Sequence, residues 1–486
     1  MLFNSFEFLA FLPIVFALYW FVCQKSLKIQ NLLILVASYF FYGWWSIPFL
    51  LLLIGSTVLD YYLAFAIDSP PLKSSKFWLV LSVVLNLGIL GLFKYYNFFI
   101  DQFQLAFNQI GIKTTLPVLQ LALPIGISFY TFHGLSYLFD VYRKEQKPVT
   151  DIIDYGVFVS FFPLLVAGPI ERASHLLPQV QKNRTFNYKQ AVEGSRLMLW
   201  GFFKKVVVAD TLAKVVQLVY ANYQTQDAYT LILGAILFSI QIYGDFSGYS
   251  DIALGTAKLF GFELLSNFKF PYFSRNIAEF WRRWHISLSS WFRDYLYIPL
   301  GGSKSGKLTS VRNTFIIFIV SGFWHGASWN FIVWGFLHAV AFLPLLLLNR
   351  NRKFAGDVVA QDTLYPSLSE LLQMLSTFSF VTFAWIFFRA KDLKTANHYI
   401  YRIFENAFDN PLQFLSKPGG TDPYGVSSAF WYVLPLIVID WLFRRNDRSI
   451  FANFNNQLLR WILYIIIGLF ITFYFGTKSS FIYFQF

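Results

Sequence analysis

Long apolar runs separated by short polar turns dominate this chain. A helix that crosses a bilayer needs about 20 predominantly apolar residues. On that ruler, candidate spans cover 8–22, 32–45, 48–67, 77–100, 116–142, 152–169 and 192–220. The series continues with 231–259, 311–324, 329–348, 369–388, 430–443 and 461–475. Several of these are short or interrupted, so about eleven transmembrane helices are expected. Turn chemistry marks 68–76 and 406–427 as loops outside the membrane.

Two stretches depart from the simple spanning pattern. In 277–300, Ile277, Phe280, Trp284, Leu288, Trp291, Tyr295 and Ile298 recur at steps of three and four, which is one face of an α-helix. Arg282, Ser289 and Arg293 fall on the opposite side, and His285 lies at the border, about 100° from Trp284. That predicts one helix lying in an interface or lining a polar cavity. The run 311–348 is too long for one upright helix, and Gly322, Gly326 and Ser328 interrupt it around His325. Irregular backbone at membrane depth is tolerated only where protein buries it or where it lines a cavity. His325 is therefore expected to face an interior space.

Composition sharpens this picture. Of 486 residues, 56% are hydrophobic and 13% charged, against roughly 25% charged in a soluble domain. The chain reads as an all-α polytopic membrane protein, a single integral-membrane domain over 1–486. The net charge of +13 does not signal nucleic acid, because the basic residues sit in short turns between apolar runs and act as topology signals. Lys25 and Lys28 follow the first run, which argues for an outside N-terminus and a retained first span. Cys23 is the single cysteine, so no intrachain disulfide forms. No Cys/His cluster has zinc spacing, and no metal is expected.

Polar groups inside such a chain are the candidates for chemistry, since titratable side chains at bilayer depth are costly. His325 can take and return a proton near neutral pH, with Trp324 and Trp329 excluding water. Its bland alternative is a histidine hydrogen-bonded between helices. His285 has Arg282, Arg283 and Arg293 within a few turns. Arginines hold the phosphates of a nucleotide-bearing donor or anchor a helix to anionic lipid headgroups. In Gln241-Ile-Tyr-Gly-Asp245-Phe-Ser-Gly-Tyr-Ser-Asp251, Asp245 needs a partner, a histidine to orient or an arginine to pair with, and a structural ion pair is the favoured role. His133 lies near Ser128 and Asp140, but no nucleophile elbow accompanies them, so packing or cavity lining is expected. His175, His338 and His398 carry no readable motif, and no phosphate-binding glycine loop is present.

Together these segments form a recognisable set. Phe280-Trp-Arg-Arg-Trp-His-Ile-Ser-Leu-Ser-Ser-Trp-Phe-Arg-Asp-Tyr-Leu-Tyr-Ile-Pro-Leu-Gly-Gly302 and Ser321-Gly-Phe-Trp-His-Gly-Ala-Ser-Trp-Asn330 closely resemble the two signatures of the membrane-bound O-acyltransferase (MBOAT) family. Asp245–Asp251, Gly168-Pro-Ile170 and the terminal Phe481-Ile-Tyr-Phe-Gln-Phe486 fit as well. The resemblance is strongest to the bacterial branch that O-acetylates alginate and peptidoglycan. It implies a multi-helix bundle with re-entrant or interfacial helices around a central tunnel, with the histidine motifs in 276–338. It further implies His325 as catalytic base and His285 as its second catalytic residue. Arg282, Arg283, Arg293, Trp324, Ser289 and Asn330 would bind the donor or line the tunnel, and Asp245 and Gln241 would line its polar part. Acetyl-CoA would be the donor substrate, with no tightly bound cofactor. The acceptor would be an extracytoplasmic polysaccharide hydroxyl, reached through a secreted or periplasmic acetyltransferase partner, because no hydrolase-like domain with its own serine nucleophile is appended. The expected location is the bacterial inner membrane. Three rivals stay open at this point: D-alanyl transfer from a carrier-protein thioester, a transporter or channel, and a scaffold for a secreted acetyltransferase.

Overall fold

A computed structural model of the chain describes residues 1–69, 71–166, 168–304, 306–409, 429–445, 456–476 and 481–482, and no strand occurs among them. The 406–427 loop beyond Asp409 and the terminal motif beyond Ile482 lie outside the described residues. Two compact units emerge, one made of 1–195 with 253–265, the other of 196–252 with 266–486.

The first unit holds α1 (Phe6–Ala17), α2 (Leu27–Gly43), α3 (Ile47–Asp68), α4 (Leu72–Leu90), α5 (Tyr96–Gln109), α6 (Ile127–Tyr142), α7 (Ile152–Ser160), α8 (Phe162–Leu165), α9 (Ala173–Val180) and the start of α10 (Tyr188–Phe202). The expected loop at 68–76 is shorter than its turn chemistry suggests, because α3 runs to Asp68 and α4 begins at Leu72. The expected span 116–142 is cut in half. Residues 112–124 are not helical, and α6 begins only after Gly126, whose φ is +75°. A side chain there would meet Leu165 O at 2.1 Å. Pro117 and Pro124 explain the failure to nucleate earlier, since proline lacks the helical donor and pushes its predecessor out of the α region.

The second unit holds the rest: the end of α10, α11 (Asp210–Ala221), α12 (Ala228–Leu259, through Ile252), α13 (Ile277–Arg283), α14 (Ile286–Phe292), α15 (Lys307–His325), α16 (Trp329–Leu347), α17 (Leu368–Arg389), α18 (Leu393–Asp409), α19 (Phe430–Phe443) and α20 (Gln457–Tyr474). The expected span 192–220 breaks into α10, a π turn over Phe203–Ala209 and α11. The cause is polar. Lys204 and Lys205 sit in the π turn, buried against Asp251 at 2.5 Å and against Asp245 and Asp210 at 2.6 and 2.8 Å. Gly201 and Gly248 let α10 and α12 come flush there, each facing the other's carbonyl within 2.8 Å of where a Cβ would stand.

Six helices among the described residues are long and apolar enough to cross a membrane: Ile47–Asp68, Lys73–Gln109, Ala228–Leu259, Trp329–Leu347, Leu368–Arg389 and Gln457–Tyr474. Shorter apolar helices occupy Phe6–Val22, Leu27–Gly43, Ile152–Leu165 and Trp431–Phe443. The chain is a multi-pass membrane protein, helical in class over the described residues. Within the second unit, α15 and α16 form a close antiparallel pair. Gly322 faces Phe331 O, and Gly335 faces Phe318 O, each at 2.2 Å from an ideal Cβ.

Candidate active site

The segment expected to be one helix over 277–300 is broken at its centre. Trp284 is extended (φ −104°, ψ 127°) and His285 is left-handed (φ +43°, ψ +55°). A non-glycine residue there costs roughly 1–3 kcal/mol, and the surroundings hold it in place. Lys269 N–H donates to Arg283 O at 3.0 Å, and Ile286 N–H donates to Asn267 O at 2.9 Å. The Asn267 amide donates to Ser250 Oγ at 2.8 Å and accepts from Ser287 Oγ at 2.6 Å. The neighbouring segment 267–269 thus takes up groups that a continuous helix would have paired. The break turns His285 inward, where it is 1% exposed, with Phe246 edge-on at 4.7 Å and Trp324 at 6.1 Å between ring centroids. Neither of its ring nitrogens makes a hydrogen bond among the described residues.

His325 ends α15, and the chain breaks immediately after it at Gly326. The break is later than the glycines suggested: Gly322 lies inside the helix and serves the α15–α16 contact instead. A side chain on Gly326 would run into the Phe331 ring at 2.2 Å. His325 is 4% exposed and packs against Trp324 at 4.8 Å, Phe388 at 5.1 Å and Trp334 at 5.3 Å. Trp324 therefore contacts both histidines, and the two signatures, some forty residues apart in sequence, converge on one indole.

The other expected residues divide. Ser289 stays within α14, accepting the Arg293 N–H through its carbonyl. Arg283 pairs with Glu279 at 2.9 Å, and its guanidinium donates to Asp357 O. Arg282 donates to Asn351 O at 2.6 Å, while its Nη2 makes no hydrogen bond among the described residues. Arg293 is largely exposed and paired with Asp294. Asn330 donates to Phe387 O at 3.0 Å and Ala390 O at 2.8 Å, tying α16 to the end of α17. Gln241 is buried. Asp245 finds neither a histidine nor an arginine: its partners are Lys205 and the Ile482 N–H at 2.6 Å. It sits in a buried ion pair whose cation is a lysine. His133, in the first unit, is buried and accepts the Glu171 N–H at 3.1 Å.

Sequence reasoning missed His338. It is wholly buried, accepts the Trp281 indole N–H at 3.2 Å, and meets Trp334 edge-on at 4.9 Å between ring centroids, so Trp334 bridges His325 and His338. The available signal was the i, i+4 spacing of Trp334 and His338 on α16. His175 was likewise unreadable; in the first unit it pairs with the buried Glu171 at 2.7 Å. No three His, Cys, Asp or Glu side chains group as metal ligands among the described residues. What the second unit offers is two buried histidines shielded by aromatic rings.

The sequence model of the MBOAT, membrane-bound O-acyltransferase family, matches residues 73–384, which contain both histidine motifs. The chain is 41% identical over 401 residues to the probable alginate O-acetylase AlgI of Pseudomonas syringae pv. tomato, covering 82% of this chain and 74% of that protein. It is 37% identical over 427 residues to the peptidoglycan O-acetyltransferase of Helicobacter pylori, covering 82% of this chain and 78% of that one. A teichoic acid D-alanyltransferase of Bacillus subtilis is 29% identical over 284 residues, covering 55% and 69%.

Proposed function

The chain belongs to the membrane-bound O-acyltransferase family and is an O-acyltransferase, and from that premise we propose that it moves an acetyl group from acetyl-CoA to an extracytoplasmic hydroxyl acceptor, from which the group goes on to a polysaccharide. The observation that carries this reading is the convergence of His285 and His325 on Trp324. His325 removes the acceptor hydroxyl's proton as that oxygen attacks the thioester carbonyl. The tetrahedral intermediate then collapses, the new ester forms, the C–S bond breaks, and the proton passes to the departing CoA sulfur. General base catalysis of this kind contributes about 10²–10⁴-fold. His285, held by a strained backbone and with neither ring nitrogen hydrogen-bonded among the described residues, donates to the developing oxyanion from its protonated nitrogen. Water is excluded by the rings of Trp324, Trp334 and Phe388.

The acetyl group and the polysaccharide acceptor rest on the relatives whose names specify them. The D-alanyl alternative draws on a relative of lower identity and shorter coverage, and the transporter reading yields to family membership. In this reading 1–486 act as one acyltransferase domain in the bacterial inner membrane, around a tunnel that Arg282, Arg283 and Ser289 border on the donor side. A separate extracytoplasmic protein passes the acetyl group to the polymer. The test is acetyl transfer in proteoliposomes with labelled acetyl-CoA, wild type against His325→Ala. CoA release and labelled acceptor that vanish in the variant support the mechanism. Equal signals in the two remove His325 from the chemistry.

A further inference from the structure

His325 ends α15, whereas His285 sits at the break between α13 and α14. Their separation therefore depends on what holds those elements in register. α16 carries neither histidine and packs on both elements. Against α15 its register is set by backbone, where Gly322 and Gly335 each face a carbonyl of the other helix. Against α13 it is set by side chains. The Trp281 indole N–H donates to His338 Nδ1 at 3.2 Å, and Trp281 stands four residues before His285. An indole nitrogen only donates, so Nδ1 of His338 is the bare nitrogen and Nε2 carries the ring proton. Trp281, Trp334 and His338 meet pairwise, with ring centroids 5.7, 5.0 and 4.9 Å apart, and Trp334 leans edge-on against His325 at 5.3 Å. Ring contacts tolerate a range of offsets and tilts. A hydrogen bond prefers one distance and one line. The Trp334 indole N–H makes no hydrogen bond among the described residues, so the bond from Trp281 to His338 supplies the direction within this group of three rings.

We propose that His338 is a positioning residue for acyl transfer. By accepting the Trp281 indole N–H it fixes α13 against α16, and α16 in turn fixes α15, so the separation of the oxyanion donor His285 and the base His325 is set by a third histidine that touches no substrate. The proposal rests on the roles given to His285 and His325 above. It explains why a ring with an acceptor is used at a wholly buried site. A phenylalanine would fill similar space but leave the Trp281 N–H without its acceptor, and a buried donor calls for one.

The experiment measures acetyl transfer by the full chain in proteoliposomes with labelled acetyl-CoA, at rates normalised to folded protein. The variants are His338→Phe, His338→Asn, Trp281→Phe and the double variant Trp281→Phe with His338→Phe. Asparagine keeps an acceptor one bond from Cγ, as Nδ1 is. In His338→Phe and Trp281→Phe, kcat should fall about 10- to 100-fold, the scale of a misplaced reacting group, with KM for acetyl-CoA little changed. The double variant should lose no more than either single variant, because both remove the same bond. His338→Asn should recover most of the rate, and the pH–rate profile should keep its shape, since His338 moves no proton. A wild-type rate in His338→Phe overturns the proposal. So does an Asn variant as slow as the Phe variant, a double variant whose loss is the product of the two single losses, or a displaced pH profile. If the wild type itself transfers no acetyl group, the functional reading fails, and hydrogen exchange at 284–287 and 323–326 then decides the role of His338. Faster exchange in His338→Phe, restored by Asn, supports positioning, and unchanged exchange overturns it.

Discussion

Gly322→Ala is the smallest change expected to misplace His325, the proposed catalytic base. Gly322 precedes His325 by three residues in α15, and its hydrogen faces the backbone of α16. A Cβ there would stand 2.2 Å from Phe331 O and must retreat to at least 3.0 Å, a shift of about 0.8 Å. The obstacle is a main-chain carbonyl, so a whole helix has to move, and not a side chain. Overpacking of this kind costs about 1–3 kcal/mol, partly offset by about 1 kcal/mol of helix propensity gained by alanine. The protein should fold. Catalysis should suffer more, because a 1 Å misplacement of a reacting group costs about 10²-fold. We expect acetyl transfer in proteoliposomes to drop about 10- to 100-fold with the midpoint of thermal unfolding only slightly lowered. Gly468→Ala in α20 is the control, since nothing lies within 4 Å of its would-be Cβ, and it should be neutral in both assays. A Gly322→Ala enzyme as active as Gly468→Ala would refute the idea that close α15–α16 packing positions His325.

Three other outcomes follow from the same geometry. Lys205→Met leaves Asp210 and Asp245 as buried charges without their cation and should destabilise by about 3–5 kcal/mol; unfolding in nanodiscs should show this, with Asp210→Asn and Asp245→Asn added to the variant restoring most of the loss. Asn330→Leu deprives the Phe387 and Ala390 carbonyls of their donor at about 1–3 kcal/mol, and faster hydrogen exchange at the end of α17 should accompany reduced transfer. Asp392 precedes α18, and its carboxylate accepts the Thr395 N–H at 2.7 Å, which holds its pKa below the ordinary range. A depressed carboxylate stabilises above its unfolded pKa, about 3.9, and that contribution is lost as pH falls through the lower folded value. The first turn of α18 should therefore exchange faster in acid in the wild type, while Asp392→Ala exchanges fast at every pH and Asp392→Asn loses the pH dependence.

Membrane character, helical class and the two histidine motifs could all be read from the chain, because each is a local property. Apolar run length decides whether a segment tolerates lipid, and Trp281–His285 and Phe323–Gly326 announce themselves by a polar ring in an apolar context. Family membership came from the same local strings. Tertiary structure decided the rest. The 3- and 4-residue spacing across 277–300 suits an unbroken helix, and nothing local forbids one. His285 turns into the left-handed region because Asn267 and Lys269, from an earlier segment, capture the backbone groups on either side of it. Asp245 advertised its need for a partner, but only folding could supply Lys205, forty residues earlier, in place of an arginine or histidine. His338 was silent because its meaning lies in Trp281 and Trp334 beside it. Periodicity reports which faces are apolar. Which polar groups meet depends on contacts distant in sequence, and those exist only once the helices have packed.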